Sequence, residues 1–377
     1  MGKTEVPLLR TSERKDFKRC PWLWQETWMK GRGTLRVPVW SWFGTAIHYG
    51  LEIRYPVGTK RGSVTDMLDA FEESVGKETG RIWQDNPNVE IDEEEVVDAI
   101  ELGKAMLIGY VGEYGKDTEW EVINSEQAFQ IRVPDPNDSS RDLVTYAGRW
   151  DGLWRNRISK LFYVVDHKTR KSFPQNWQFY NIDDQAGSYL WVAPEVLRHL
   201  GVFGKKDQIE GLIFNALKKH MPDTRPRDDQ GRARNKPQKA HYEAALSDAG
   251  VSSPSRTTIA ELHSLATSAG LTVLGDVSAV QPAALFHREV VYRSQSERVT
   301  QGQRVQQEAL AMDDVRSGRR KAFKVPTEDC VRCKIFEYCE ADENAKEEGK
   351  EMRKILLTRR DYYGDHREAM QANGVNV

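Results

Sequence analysis

Two aspartates and a lysine in the middle of the chain have the residue types and spacing for phosphoester chemistry. Asp166 and Lys168 stand two residues apart at the end of a run rich in Val, Tyr and Phe. Because side chains two apart on a β-strand point to the same face, this carboxylate and this ammonium group would share one space. Asp151 lies in the neighbouring strand-like run and would join them in a hairpin. Carboxylates suit Mg²⁺ or Mn²⁺, and a lysine beside the ion can polarise a water or neutralise charge on a phosphate.

Three further polar residues stand on predicted helices before and after these strands. His48 follows Gly44 on the first of these helices and would add an imidazole to the two carboxylates. Gln185 and Tyr189 are four residues apart, so they share one face of the second helix. Each motif alone is more often structural, since a D-x-K pair at a strand end is usually a surface ion pair. The combination in this order is what favours a catalytic site.

This order of motifs resembles that of a known enzyme family. The series H, G-x-x-D, D-x-K and Q-x-x-x-Y is formed here by His48, residues 148–151, residues 166–168 and residues 185–189. It is similar to the motif series of the PD-(D/E)XK nuclease superfamily, specifically its RecB-like exonuclease branch. The middle residue of the D-x-K element is commonly aromatic in that branch, whereas this chain has His167.

The resemblance implies a role for each matching residue. His48, Asp151 and Asp166 would bind the metal ion, and the carbonyl group of His167 would supply a further ligand. Lys168 would help to activate the attacking water. Gln185 and Tyr189 would support the site and the substrate phosphate. Because only the backbone of residue 167 is involved, we expect the histidine at this position to cause little loss of activity.

Three of the four cysteines lie within ten residues of one another. Cys330, Cys333 and Cys339 form a C-x2-C-x5-C run, and Cys20 lies 310 residues earlier. Grouped cysteines in a chain without a secretory signal favour a metal site, and four thiolates suit either Zn²⁺ or an iron–sulfur cluster, with unliganded thiols as the remaining alternative. Members of the RecB-like branch, including the CRISPR-associated exonuclease family and related phage proteins, bind a [4Fe–4S] cluster with this pattern. The resemblance therefore implies a structural [4Fe–4S] cluster that joins the two ends of the chain.

The pattern of elements predicts an α/β fold with a mixed central β-sheet flanked by helices. Amphipathic helices are predicted near 44–55, 64–77 and 92–114. Strands are predicted over 120–133, 143–154 and 160–166, with a loop over 134–140, a helix over 183–192 and a strand over 208–217. A strand over 285–292 and a helix over 297–315 complete the series. Hairpin-linked strands followed by a crossover helix are typical of a sheet covered by helices.

Three regions are expected along the chain. Residues 10–340 would form the nuclease domain closed by the iron–sulfur cluster, with a basic, partly mobile insertion over 218–281. Residues 341–377 are rich in Glu and Lys and would form a charged helical tail. The chain has no apolar run of the ~20 residues that a membrane span needs and no apolar signal region near its start. We therefore expect a cytoplasmic protein of a bacterial cell or a phage, not bound to membrane.

The charge balance of 55 basic against 57 acidic residues, a formal net charge of −2, argues against a general basic nucleic-acid coat. Basic residues are nevertheless grouped locally, and DNA contacts are expected from Arg19, Arg149, Arg170, Arg319, Arg320 and Lys321. Tryptophans 22, 24 and 28 follow Cys20 and either pack around the cluster or stack on unpaired bases.

The sequence therefore predicts a metal-dependent deoxyribonuclease, an exonuclease acting on single-stranded DNA or DNA ends. One alternative is a non-catalytic DNA-binding subunit in recombination or CRISPR adaptation that keeps the fold. Another is a structural zinc module with an interaction role. A P-loop helicase is excluded for this chain because it has no G-x-x-x-x-G-K-[ST] motif.

Overall fold

A mixed six-stranded β-sheet forms the centre of the larger of two compact units in the computed structural model, which describes residues 6–35, 39–85, 91–252 and 256–372. The larger unit comprises Met1–His220 with Phe286–Val377, and the smaller comprises Met221–Leu285. The sheet contains β1 (Leu8–Leu9), β3 (Trp120–Asp135), β4 (Asp138–Asn156), β5 (Phe162–Arg170), β6 (Ile209–Lys218) and β7 (Phe286–Tyr292). Two further strands, β2 (Arg32–Thr34) and β8 (Leu357–Arg359), pair antiparallel with each other.

The long strand β4 organises the sheet. One edge of β4 pairs antiparallel with β3, and its other edge pairs with β1 in parallel and then with β5 antiparallel. Strand β6 pairs in parallel with β5 and antiparallel with β7. The parallel pair is joined by a crossover helix, as parallel neighbours require. The predicted mixed sheet is thereby confirmed.

Helices of the larger unit cover both faces of its sheet. The helices of the larger unit are α1 (Thr11–Arg19), α2 (Pro21–Trp24), α3 (Val39–Arg54), α4 (Val64–Asp85), α5 (Glu93–Tyr114), α6 (Asp184–His199), α9 (Gln295–Arg316), α10 (Phe336–Asn344), α11 (Lys346–Leu356) and α12 (Gly364–Ala372), and those of the smaller unit are α7 (Lys239–Asp248) and α8 (Ile259–Ser268). A π-helical turn over Gln25–Met29 and 3₁₀ turns over Trp177–Ile182 and Glu328–Arg332 connect them. None of the helices in the described ranges is both long and apolar enough to cross a membrane.

Two apolar cores lie on opposite faces of the sheet because strand side chains alternate in direction. On β5, Val164 packs into the core that contains α1, α6 and α9, whereas Val165 packs into the core that contains α3, α4 and α5. Leu212 and Ile213 on β6 divide in the same way. Asp166 follows Val164 by two residues and therefore points toward the layer of α6.

The smaller unit, Met221–Leu285, has a core of its own. Tyr242 and Leu246 from α7 pack against Leu262 and Ala266 from α8. Its basic residues are partly neutralised locally, since Arg225 pairs with Asp223 at 2.6 Å and Arg232 pairs with Asp228 at 2.8 Å. The predicted insertion over 218–281 falls on nearly the same residues.

Two details of the predicted elements differ from the structure. The predicted loop over 134–140 is a tight turn, because Asp135 and Asp138 are already paired in the β3–β4 hairpin. The tail is not continuously helical, since residues 357–359 form β8. The short strand exists because β2, more than 300 residues earlier, supplies its hydrogen-bond partners, which no local pattern reveals.

Candidate active site

Asp166 and Lys168 on β5 meet two side chains of α6. The Lys168 Nζ lies 2.6 Å from Asp166 Oδ2 and donates to Gln185 Oε1 at 2.8 Å. The Gln185 amide in turn donates to Asp166 Oδ1 at 3.0 Å and to the Tyr189 hydroxyl at 3.1 Å. That hydroxyl donates to the carbonyl group of Arg149 on β4 at 2.6 Å. The D-x-K and Q-x-x-x-Y motifs therefore form one hydrogen-bonded cluster.

Asp151 on β4 connects this cluster to α3. Its Oδ1 lies 3.3 Å from His48 Nδ1, and its Oδ2 accepts a 2.5 Å hydrogen bond from the His167 backbone N–H. Gly148 in the same motif allows β4 to pass Phe129, since a Cβ atom at residue 148 would lie 2.5 Å from that ring. The four sequence motifs thus converge on the end of β5.

Two glutamates at this site were missed by sequence reasoning. Glu126 on β3 lies between the paired residues Ser125↔Gly152 and Gln127↔Trp150, so it stands opposite Asp151. Its φ of 47° marks a local distortion of the strand. Glu126 pairs with Arg149 at 2.8 Å. Glu52, one turn after His48 on α3, could have been found by its i,i+4 spacing, whereas no local signal singled out Glu126.

The carboxyl groups of the site are all largely buried, but their pKa values differ because their charged neighbours differ. Burial and, to a lesser extent, the nearby Asp151 raise the pKa of Glu126 to about 8. Burial likewise raises the pKa of Asp166 to about 6, although Lys168 opposes this shift. Burial would also raise the pKa of Asp151, but His48 and His167 outweigh it and hold that pKa well below its usual range. Like charges this close favour the uptake of a proton or a cation.

The carboxylate oxygens of Asp151 and Asp166 are the atoms of the site best suited to a divalent ion. Across 6–35, 39–85, 91–252 and 256–372, no three or more His, Cys, Asp or Glu side chains have the arrangement of a metal site. However, Asp166 Oδ2 is buried and accepts no hydrogen bond, since the close Lys168 ammonium lacks hydrogen-bond geometry toward it. Mg²⁺ is commonly held by one or two carboxylates, with waters and phosphate oxygens filling the other positions. A buried carboxylate oxygen beside a lysine and a second carboxylate fits that kind of site.

The side chain of His167 points away from Asp166, into a buried polar network. Its Nδ1 lies 2.8 Å from Asn215 Nδ2 on β6. Asn215 also donates to the Tyr110 hydroxyl at 2.9 Å and accepts from Arg288 Nε at 3.3 Å. Burial lowers the pKa of His167 to about 3, which keeps the ring neutral. The backbone N–H of His167 thus donates to Asp151, whereas its ring belongs to the network behind the sheet.

The basic residues predicted to contact DNA occupy different surroundings. Arg149 lies beside the carboxylates, and the guanidinium of Arg170 stands 5.2 Å from the ring of Tyr180. Arg19 donates to the Asp329 carbonyl at 2.6 Å, and Arg319 is paired with both Asp313 and Asp314 at 2.7 Å. Arg320 lies 5.1 Å from the Phe323 ring, and Lys321 is exposed. Arg149 is therefore the member of this set that the structure places at the candidate site.

The four cysteines are neighbours, and none forms a disulfide. Cys20 precedes α2, Cys330 lies in the 3₁₀ turn, Cys333 follows it, and Cys339 lies in α10. The Trp22 N–H donates to the Phe323 carbonyl at 3.1 Å, which holds the two ends of the chain together. Burial, opposed by Lys324 and reinforced by the other three thiols, raises the pKa of Cys339 to about 11. The thiols are thus close enough to interact electrostatically, without the arrangement of a metal site.

One comparison with known proteins, a family profile, agrees with the motif series. No curated protein matches the chain. A solved structure, described as that of a candidate exonuclease from Eubacterium rectale, is 10% identical, with a TM-score of 0.39 over 86% of this chain and 87% of that one. The family profile described as the PD-(D/E)XK nuclease superfamily matches residues 11–340. With a match over most of its length, the chain belongs to the PD-(D/E)XK nuclease superfamily.

Proposed function

We propose that this nuclease is a Mg²⁺- or Mn²⁺-dependent deoxyribonuclease that hydrolyses phosphodiester bonds at Asp151, Asp166 and Lys168. The observation that carries the proposal is the convergence of two largely buried carboxyl groups and a lysine: Asp166 Oδ2 lies 2.6 Å from Lys168 Nζ, and Asp151 is close enough to raise the pKa of Asp166. Two carboxylates this close repel each other when both are ionised, and a divalent cation bound between them would offset that repulsion.

Asp151 and Asp166 would hold the divalent ion, with the His167 carbonyl group and His48 as further candidates. When bound, such an ion polarises the scissile phosphate and lowers the pKa of a water. His48 Nδ1 lies 3.3 Å from Asp151 Oδ1, so Nε2 is the ring nitrogen that would bind the ion. Its present contact favours a role in orienting Asp151.

Lys168 has the exposure and the partners of a group that acts on substrate. Its side chain is 25% exposed, whereas that of Asp166 is 4% exposed, so the ammonium lies between the buried carboxylate and solvent. There it would orient the attacking water and offset negative charge on the phosphate. Gln185 holds both Lys168 and Asp166, and Tyr189 anchors Gln185 to β4. Gln185 and Tyr189 are therefore positioning residues.

Single-stranded DNA or DNA ends remain our proposed substrates, and exonucleolytic digestion the proposed mode. The RecB-like assignment rests on the order of the four motifs and on the cysteine pattern. The proximity of the four thiols at the junction of the two chain ends supports a structural [4Fe–4S] cluster. Thiolates from Cys20, Cys330, Cys333 and Cys339 would hold it and tie α2 to α10.

Digestion of 5′- and 3′-end-labelled single-stranded DNA with Mn²⁺ tests the activity, the site and the polarity together. The parent should degrade both substrates from one end, and Asp166→Ala should abolish this while leaving the protein folded. Asp98→Ala is the matched control, because Asp98 is exposed on α5 and should not affect cleavage. Digestion by Asp166→Ala at the parental rate would show that the site is wrong. Salt-dependent binding without turnover in any divalent ion would instead support the non-catalytic alternative.

A further inference from the structure

A cleft of about 560 Å³ lies where the C-terminal segment meets the N-terminal segment. One wall is formed by residues 28–31, and the other by residues 359–363 with Arg367. The second wall lies beyond residue 340, where the match to the nuclease superfamily ends. The C-terminal cleft is therefore a feature of this chain in addition to its nuclease core.

The walls of the C-terminal cleft are fixed by hydrogen bonds. Arg359 is the register partner of Arg32 in the β2–β8 pair, and the Arg360 N–H donates to the Gly31 carbonyl at 2.8 Å. The Tyr362 hydroxyl donates to the Arg32 carbonyl at 2.9 Å. A site whose walls are already in place loses little conformational entropy when it binds a ligand.

The charges that line the cleft favour an anion. Lys30 is paired with Glu26 and Arg367 with Asp361. Arg359 and Arg360 are both exposed, and neither pairs with a carboxylate in the part of the chain that the structure describes. Two guanidinium groups are thus free to donate to phosphate oxygens.

Aromatic rings line the same cleft. The ring centroids of Trp28 and Tyr362 lie 4.7 Å apart at 35°, and those of Trp28 and Tyr363 lie 5.6 Å apart at 61°. The guanidinium of Arg360 stands 5.3 Å from the centre of the Tyr362 ring. All three residues are half-buried, so part of each residue remains accessible. Aromatic faces beside free arginines are the combination that binds unpaired bases and their phosphates.

The helix that follows the cleft leads to the active site. Arg367 of the cleft wall lies in α12, and His366 in the same helix has its Nε2 3.2 Å from Gln130 Nε2 on β3. The charge of Arg149 acts on Asp365 at the start of α12, and Arg149 is itself paired with Glu126 opposite Asp151. The cleft and the candidate active site are thus linked through α12.

We propose that the C-terminal cleft binds single-stranded DNA outside the catalytic centre, with Arg359 and Arg360 on phosphates and Tyr362 stacked on a base. The proposal rests on the proposed function, because the bound strand is taken to be the one that the active site cuts. Double-stranded DNA is disfavoured, since paired bases have no free face to offer to Tyr362.

The test measures binding in the absence of divalent ions, so that it does not depend on cleavage. Binding of a fluorescent oligo-dT of about 20 nucleotides is measured by anisotropy in EDTA at several salt concentrations, with full-length Asp166→Ala as the parent. Adding Arg359→Ala and Arg360→Ala should weaken binding and reduce the slope of log K against log salt by about 1.4, since each phosphate contact on a single strand contributes about 0.7. Lys205→Ala with Lys206→Ala is the matched control, because it removes two exposed charges elsewhere.

Substitution of Tyr362 separates stacking from a purely structural role. Tyr362→Ala should weaken binding by about 5- to 150-fold, the range found when a stacking ring is removed. Tyr362→Phe keeps the ring and loses only the hydrogen bond to Arg32, so it should bind like the parent.

Three results would overturn the proposal: a salt slope for the arginine pair equal to that of the lysine control, equal losses for Tyr362→Phe and Tyr362→Ala, or tighter binding of RNA of the same length. A chain that binds through the cleft but never cleaves DNA would refute the proposed function and leave this inference standing. Cleavage of DNA by the unmodified protein, together with unaltered binding in all cleft variants, would refute this inference and leave the proposed function standing.

Discussion

Replacement of Arg288 by methionine should expose how the polar network behind the sheet stabilises the protein. Arg288 on β7 donates to both carboxylate oxygens of Asp117, at 3.0 and 2.6 Å. It also donates to the hydroxyls of Tyr110 and Tyr55 at 2.7 and 3.1 Å and to Asn215 Oδ1 at 3.3 Å. Its side chain is 12% exposed and that of Asp117 is 4% exposed, so this is a buried ion pair.

The magnitude follows from what Arg288→Met leaves behind. Asp117 would keep the Tyr55 hydroxyl as a donor at 2.7 Å but would lose its counter-charge. Breaking a buried pair from one side costs about 3–5 kcal/mol, and an unpaired Asn215 oxygen costs about 1–3 kcal/mol. Because both losses fall in one network they do not add fully, and we expect a total of about 4–5 kcal/mol. Adding Asp117→Asn removes the stranded charge and should recover about 2 kcal/mol.

Urea unfolding followed by tryptophan fluorescence and circular dichroism measures these changes, provided that the m-value stays constant. Arg319→Met is the matched control. Its side chain is 52% exposed, so loss of its pairs with Asp313 and Asp314 should cost less than about 1 kcal/mol. The reasoning is refuted if Arg288→Met costs no more than this control, or if the double variant is no more stable than Arg288→Met.

Three further predictions concern other parts of the molecule. Gly148→Val should destabilise the fold by about 1–3 kcal/mol in urea unfolding, because its Cβ would clash with Phe129, whereas Gly112→Val has open space on α5 and should cost less. Burial lowers the pKa of His366 to about 4. Because the ring binds a proton more readily when α12 is undocked than when it is docked, acid favours the undocked state. The docking of α12 should therefore be complete above about pH 6.5 and weaken as the pH falls toward about 4. Hydrogen exchange of residues 364–372, measured at about pH 6.5 and about pH 4, checks this prediction. Equal protection of these residues in the parent and in His366→Gln at the lower pH would contradict it. Cys333→Ser should abolish the broad absorbance near ~400 nm that a cluster would give to anaerobically purified protein, and a colourless parent would contradict the cluster.

Sequence reasoning predicted the central sheet because its strands carry strong local signals. The run through Val164 and Val165 is apolar on both faces, as a strand covered by helices must be. The helix over 93–114 is capped by Asp92, whose side chain accepts hydrogen bonds from the N–H groups of Glu94 and Glu95. The order of the motifs grouped Asp151, Asp166, Lys168, Gln185 and Tyr189, and the structure brings these residues together at the end of β5.

The features that were missed depend on contacts between distant parts of the chain. Glu126 reaches the site through a distortion at one residue of β3, where its φ is 47°, and nothing in its neighbours predicts this. Arg288 and Asp117 are 171 residues apart, so their pairing is visible only once β7 and the end of α5 are adjacent. The side chain of His167 belongs to the same network, whereas the motif alone suggested a role for its backbone only.

The pairing of β2 with β8 also sets the order in which the protein can be completed during its synthesis. Residues 32–34 leave the ribosome more than 300 residues before their partners 357–359. At about 5–20 residues per second, they wait roughly 16–65 s with unpaired backbone groups. Through that interval β2 is an open edge that a neighbouring nascent chain or a chaperone can bind. Residues 357–359 thus complete a strand pair whose first strand was synthesised long before.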